Sequence, residues 1–291
     1  MREDHLIKYP RTQHLVGSRL QDGDEKDMMP YGDILGKFVV LEEKMDGANC
    51  GISFSQNEEL LLQSRGHFLT GGGREKHFNL LKEWSNCHRD QLFSILGKRF
   101  IMFGEWMYAK HSVFYDELPH YFLEFDIYDK QTQSFFSTKK RKQMLMGGPV
   151  VSVPVLWQGV LTPMQKKQEQ DFFQSLIVPS LAKSTRWQEN LKEVIKEQGL
   201  DEEKTLSQTD NATSCEGLYG KVEEGDFCVG RFKYIRKSFT QTILDSGVHW
   251  SKRPIVPNRL KQGQNIYASH IDKSWPAPCI VVPNKNKKFF V

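Results

Sequence analysis

Glu42-Glu43-Lys44-Met45-Asp46-Gly47-Ala48-Asn49 lies between two short apolar runs, Phe38-Val39-Val40-Leu41 and Cys50-Gly51-Ile52-Ser53-Phe54, each of strand length. A lysine therefore stands at a strand end, two residues before Asp-Gly. From there it can project into a cleft, and Gly47 lets the backbone come close to a phosphate. The same residues also suit a plain hairpin turn with a solvated lysine, because Asp-Gly is a common turn dipeptide. The stretches downstream separate the two readings.

Working outward, strands are expected at about 37–43 and 48–55, followed by Glu59-Leu-Leu-Leu-Gln63 and Ser64-Arg65-Gly66. Gly71-Gly72-Gly73 then opens a helical pattern that carries Leu81, Trp84, Leu92 and Leu96 to a stop at Gly97. With no lysine partner, the triple glycine reads as a mobile connector rather than a phosphate loop. Arg99-Phe-Ile-Met-Phe103 is a buried strand ending in Gly104-Glu105-Trp106. Tyr121–Tyr128 and Ser134–Phe136 flank a turn as a hairpin, and Glu216–Val222 with Phe227–Tyr234 form a second. Residues 138–147 and 163–199 read as mainly helical, broken at Pro179 and ended by Gly199, and Asp201–Ser214 reads as a polar loop. Runs of strands with intervening helices indicate an α+β domain. Ahead of it, residues 5–36 are irregular. There Pro10-Arg11-Thr12-Gln13-His14-Leu15 and Gly17-Ser18-Arg19 place polar donors near apolar anchors, either as a plain lead-in or as a loop packed beside the site.

The chain has 291 residues and 38% hydrophobic content, enough for one large domain with at most a small appendage. Net charge is only +4, but it is unevenly spread. Residues 251–291 hold eight Lys/Arg against Asp272 alone, a net +7 that leaves residues 1–250 at −3. A basic tail on a nearly neutral body suits a polyanion, and Ile255, Val256, Trp275 and the apolar residues near the end suggest that parts of the tail dock. The five cysteines are scattered and form no C-x-x-C pair. Reduced thiols in a cytoplasmic protein are the simplest account of them, and a structural zinc site is not expected. The N-terminus is charged and no apolar run approaches 18 residues, so neither export nor membrane insertion is expected.

Six stretches now stand at strand ends or edges: Lys44-Met-Asp-Gly47, Ser64-Arg65-Gly66, Gly104-Glu105-Trp106, Phe125-Asp126, Glu216-Gly217 and Arg231-Phe-Lys233. In order and spacing they resemble the nucleotidyltransferase motifs of covalent ATP-dependent polynucleotide ligases and messenger-RNA capping enzymes, over roughly residues 37–238. DNA ligases and capping enzymes typically carry arginine where Asn49 stands. Lys-x-x-Gly-x-Asn is similar instead to the RNA ligase 2 family. That family often has histidine in place of Asp46, lysine in place of Arg231, and a separate C-terminal domain. This chain has only residues 239–291 there, so the closer likeness is to compact bacterial RNA ligases of repair systems.

The resemblance implies a nucleotidyltransferase (adenylyltransferase) domain over 1–240, with two mainly antiparallel sheets flanked by helices. It implies a small basic C-terminal extension over 241–291, with no full OB-fold domain. The implied activity is an ATP-dependent RNA ligase that joins a 5′-phosphate to a 3′-hydroxyl through a lysyl-AMP intermediate. Lys44 would be the nucleophile, and because a lysine near its usual pKa is protonated, nearby cations such as Arg231, Lys233 and a metal would have to push its proton off. Arg231 and Lys233 lie two apart on a strand, so both would point at the α-phosphate. Arg65 would contact phosphate or an RNA end. Glu105 would accept from the ribose hydroxyls, and Glu216 would help hold Mg²⁺ or Mn²⁺. Phe125 would stack on adenine, Glu43 would meet the adenine amine, and Asn49 would orient the RNA end. Tyr108, Lys110, His111 and Tyr115 would clasp single-stranded RNA. RNA ends are the expected partner, with an end-healing kinase or phosphatase as a further one. The alternatives are a minimal ATP-dependent DNA ligase and a non-catalytic RNA-end-binding subunit.

Overall fold

The computed structural model describes residues 5–20, 28–239, 253–268 and 271–277. After β1 (Gln13–Leu15), β2 (Met28–Met29) and a 3₁₀ turn at Tyr31–Ile34 come β3 (Phe38–Lys44) and β4 (Ala48–Phe54). Next follow β5 (Leu60–Ser64), a 3₁₀ turn at Gly73–Phe78, α1 (Asn79–Cys87) and α2 (Arg89–Leu96). The middle of the chain supplies β6 (Phe100–Trp106), β7 (Phe122–Asp129), β8 (Ser134–Phe136), α3 (Thr138–Met144), β9 (Val151–Ser152) and β10 (Val155–Val160). The last elements are α4 (Lys166–Ser175), α5 (Trp187–Glu197), α6 (Glu202–Ser207), β11 (Gly217–Glu224) and β12 (Phe227–Ile235).

The two expected sheets are present as two arms of one hydrogen-bonded path, β10-β3-β11-β12-β8-β7-β6-β4-β5. Short β8 is the joint: Phe135 and Phe136 pair with Cys228 and Phe227 on one side, and Phe135 with Tyr128 on the other. Each arm has its own apolar core. Leu81, Trp84, Leu92 and Leu96 of α1 and α2 pack against Ile52, Phe54 and Met102 of one arm. Phe173 and Leu176 pack with Val39, Leu41, Leu218 and Phe232 of the other.

Strand pairing excludes the plain-hairpin reading of Asp46-Gly47. β3 pairs with β10 and β11, while β4 pairs with β5 and β6. The Met45–Gly47 turn therefore carries the chain from one arm to the other, and Lys44 stands at the crossing. Only glycine fits at 47, because a Cβ there would lie 2.7 Å from Met107 Sδ and 2.8 Å from the Trp106 carbonyl.

Three elements differ from the sequence expectation. Residues 151–160 supply β9 and β10, which the Pro154 between them obscured. The segment read as a polar loop contains α6, capped by the Asp201 carboxylate on the Lys204 amide. The helical pattern before Gly97 is two helices that meet at His88.

Residues 253–277, where described, do not form a separate unit but run across the domain. Ala109 bridges to Pro257 and Leu118 to Leu260. Arg259 reaches Glu193 and Glu197 on α5 at 2.8 and 2.9 Å, and the Trp275 indole donates to the Ser152 carbonyl. The expected boundary at 240/241 and the apolar end of the tail lie outside the described residues.

Candidate active site

A cavity of about 650 Å³ opens between the arms at the crossing. Lys44, Glu43, Asn49, Arg65, Glu105, Phe125, Glu216 and Lys233 all line it. Lys44 comes from the end of β3, and β11 beside it places Gly217 opposite Lys44. Glu216 precedes that strand, and both its carboxylate oxygens reach Lys44 Nζ, at 2.8 and 2.9 Å. On the other arm, Asn49 of β4 stands directly opposite Glu105 of β6.

The electrostatics run against the expectation for Lys44. Burial pulls its pKa down, but Glu216 and Glu105 more than offset this, so the ammonium is held above its ordinary value. The acids carry the cost. Burial pushes Glu105 up to about 8, with Lys44 opposing and Glu216 adding to the rise, and the Gly47 amide bonds its carboxylate. Burial likewise raises Glu216 to about 7 against the pull of Lys44. Glu43 also reaches about 7 through burial, although it accepts from the Leu181 amide. At all three acids burial thus outweighs the pull of the nearby lysines.

Among the described residues, no group of three His, Cys, Asp or Glu is arranged to hold a metal ion. Glu216 and Glu105 both line the cavity and feel each other's charge, and carboxylate oxygens are the donors a hard divalent cation takes. Phe125 has mixed surroundings. It lines the cavity, but one side packs on Tyr9 and Tyr219, with ring centroids 5.1 and 6.2 Å away.

Two placements differ from the expectation. Arg231 does not line the cavity: its guanidinium lies over the Phe135 ring, 3.7 Å from the centroid, and 3.7 Å from Asp126. The loop after β6 packs largely into the domain. Tyr115 and His111 are buried, and Lys110 Nζ donates to the Gln208 and His111 carbonyls. This loop braces the lysine turn instead. The Asp46 carboxylate accepts from the Ser112 and Val113 amides at 2.7 Å each, and the Asp46 amide donates to Tyr115 Oη. Asp46 therefore works as an acceptor for loop amides, which an aspartate provides directly.

The sequence also understated the segment before β3. Tyr9, Pro10, Arg11, Thr12, His14, Arg19 and Leu20 all line the cavity. Only the proximity of polar donors to apolar anchors hinted at this.

The site is thus a strand-end lysine paired with a buried glutamate, in a cleft between two sheet arms. The RNA ligase family model matches residues 37–235, and the chain belongs to the RNA ligase family. Among solved structures it is similar to Naegleria gruberi RNA ligase with PPi, at 16% identity and a TM-score of 0.47, covering 84% of this chain and 64% of that one. Mutants of the same ligase, one with AMP and Mn and one with ATP and Mn, are also 16% identical, with TM-scores of 0.47 and 0.45. Each covers 71% of this chain and 52% of the other, so this chain spans about half their length. A comparison with curated proteins found no match. Among the described residues, no helix is long and apolar enough to cross a membrane.

Proposed function

We propose that this protein is an ATP-dependent, AMP-forming RNA ligase that joins 5′-phosphate and 3′-hydroxyl RNA ends, with Lys44 as its covalent nucleophile. The observation that carries the reading is the Lys44–Glu216 pair inside the cavity at the crossing of the two arms. Lys44 Nζ attacks the α-phosphorus of ATP, the bond to the bridging oxygen breaks, and pyrophosphate leaves with the electron pair. The nitrogen must first lose the proton that Glu216 helps it keep. A bound divalent cation would supply positive charge at Glu216 and the phosphates, weakening that hold. Lys233 supports the α-phosphate, and Glu105 and Asn49, facing each other across two strands, offer an acceptor and an amide to the ribose or the incoming end. AMP then passes to the RNA 5′-phosphate, and the 3′-hydroxyl displaces it. Kinase and phosphatase chemistry on broken RNA yields such ends, so an end-healing partner suits this reading.

Incubation with α-labelled ATP and Mg²⁺, followed by a denaturing gel, tests this. The wild-type band should carry label and Lys44→Ala should carry none. Folded wild type without label would overturn covalent catalysis in favour of an RNA-end-binding module. Comparing nicked duplexes with RNA or DNA at the 3′-hydroxyl side then separates an RNA ligase from a DNA ligase.

A further inference from the structure

The segment Tyr9–Leu20 lies outside the matched family region, yet it forms one wall of the active-site cavity. It is fixed to the strand that carries Lys233. β1 runs parallel to β12, with His14 opposite Lys233. The Ser18 hydroxyl accepts from the Ile235 amide at 2.9 Å and contacts His14 Nδ1 at 2.9 Å. The Arg19 amide donates to the Ile235 carbonyl at 3.0 Å. At the other end, Tyr9 Oη donates to Asp126 and lies 2.6 Å from Tyr219 Oη, which Thr12 Oγ1 also contacts at 2.9 Å. The backbone is held at several points, while the Arg11 and Arg19 side chains are exposed at the cavity wall.

Register places this wall near the nucleophile. Gly217 of β11 stands opposite Lys44 on one side and Ile235 on the other, and Ile235 is the residue that anchors Arg19. Two strand spacings, about 10 Å, separate the backbones of Lys44 and Ile235, a gap that a lysine and an arginine side chain reach across from either side. The cavity holds the cations Arg11, Arg19, Lys44, Arg65 and Lys233 against Glu42, Glu43, Glu105 and Glu216. Lys44 is taken up by Glu216. A nucleoside triphosphate, whose phosphates carry several negative charges, calls for several of these cations.

We propose that Arg11 and Arg19, with His14 behind them, form the site for the β- and γ-phosphates of the nucleotide and for the departing pyrophosphate. The inference rests on reading the cavity as an ATP site. Arginine suits the task because its planar fork grips phosphate oxygens in pairs. Anchoring the segment to β12 preorganises it, so little ordering cost falls on binding. When Lys44 displaces pyrophosphate, the bond between the α-phosphorus and the bridging oxygen breaks. The leaving oxygen gains charge, and this wall stabilises it.

The test compares wild type, Arg11→Ala, Arg19→Ala and the two Arg→Lys variants in three assays. These are lysyl-AMP formation from ATP, discharge of purified lysyl-AMP enzyme by added pyrophosphate, and sealing of a strand adenylylated in advance. Both alanine variants should raise the half-saturating ATP and pyrophosphate concentrations about tenfold or more, the size of a lost charge-assisted hydrogen bond. Labelling at limiting ATP should fall about tenfold further than sealing does, and lysine should restore part of the loss. Equal losses in labelling and sealing would overturn the proposal and assign these arginines to RNA phosphates. Variants identical to a wild type that labels normally would also overturn it. Wild type that takes no label at all would sink the ATP reading itself, a result distinct from either.

Discussion

Glu42 and Lys44 lie two apart on β3, yet they belong to opposite electrostatic worlds. Glu42 joins a closed network. It meets Arg141 at 2.7 Å and Lys221 at 2.8 Å, Arg141 also holds Glu124 at 2.6 Å, and Lys221 lies 3.4 Å from Asp126. Every member is at most 1% exposed, and two bases are shared among three acids. Around Lys44 burial of the acids outweighs their pairing. One lysine serves Glu216 and Glu105, and both acids are pushed to about 7 and about 8 by burial. The first assembly satisfies its charges internally and clamps the two arms together, because Arg141 of α3 holds β3 of one arm and β7 of the other. The second leaves its acids raised by burial, a cost that a cation entering the site would relieve.

The largest effect should come from breaking the closed network. Arg141→Ala leaves Glu42 and Glu124 buried without their shared cation. Removing one partner from a buried ion network costs about 3–5 kcal/mol. Chemical denaturation should register that loss, whereas Lys44→Ala, in the half-open site, should cost far less stability while abolishing label. Equal stability losses for the two variants would erase the distinction between the assemblies.

A smaller effect is expected where the C-terminal extension braces the lysine turn. Asn258 is buried, accepts from the Tyr115 amide at 2.9 Å and donates to the Met107 carbonyl at 2.6 Å. Tyr115 accepts the Asp46 amide, and Met107 packs where a Cβ on Gly47 would stand. Asn258→Ala should therefore slow lysyl-AMP formation by about tenfold, from buried groups left unpaired, with little change in half-saturating ATP. A rise in half-saturating ATP alone would assign Asn258 to nucleotide binding rather than to positioning.

The sequence made some of this legible and hid the rest for one reason. Lys44, Glu105 and Glu216 announce themselves locally at or near strand ends beside glycine or polar residues, and Lys233 by its spacing of two from Arg231 on a strand. Arg231 carries the same local signal as Lys233, yet Phe135 and Asp126 from distant strands claim it. Tyr9, Arg11 and Arg19 sit in a stretch with little periodicity and gain their place through pairing with β12, more than 200 residues on. Asn258 likewise gains its place only through the distant loop it braces. Local pattern gave the strands, while long-range closure decided which of their ends face the cavity.

The smallest expected effect, and the one that tests the open assembly most directly, is the pH dependence of stability without nucleotide. Glu105, Glu216 and Glu43 have folded-state pKa values near 8, 7 and 7, all above the ordinary carboxylate value of 4.5. Between that value and about 8, the unfolded chain has released these protons while the folded protein still holds them. The unfolded state then binds fewer protons, so stability falls as pH rises through this window. Lys44 works in the opposite range: its raised pKa adds stability that is lost only as pH climbs through the lysine region. The melting temperature of the free protein should therefore decline from pH 5.5 to 8.5. Glu105→Gln, which removes the acid with the highest value, should flatten that slope, and ATP with Mg²⁺ should flatten it in wild type by neutralising the same acids. A slope unchanged in Glu105→Gln would mean that its carboxylate already has all the positive charge it needs, and the contrast with the Arg141 network would disappear.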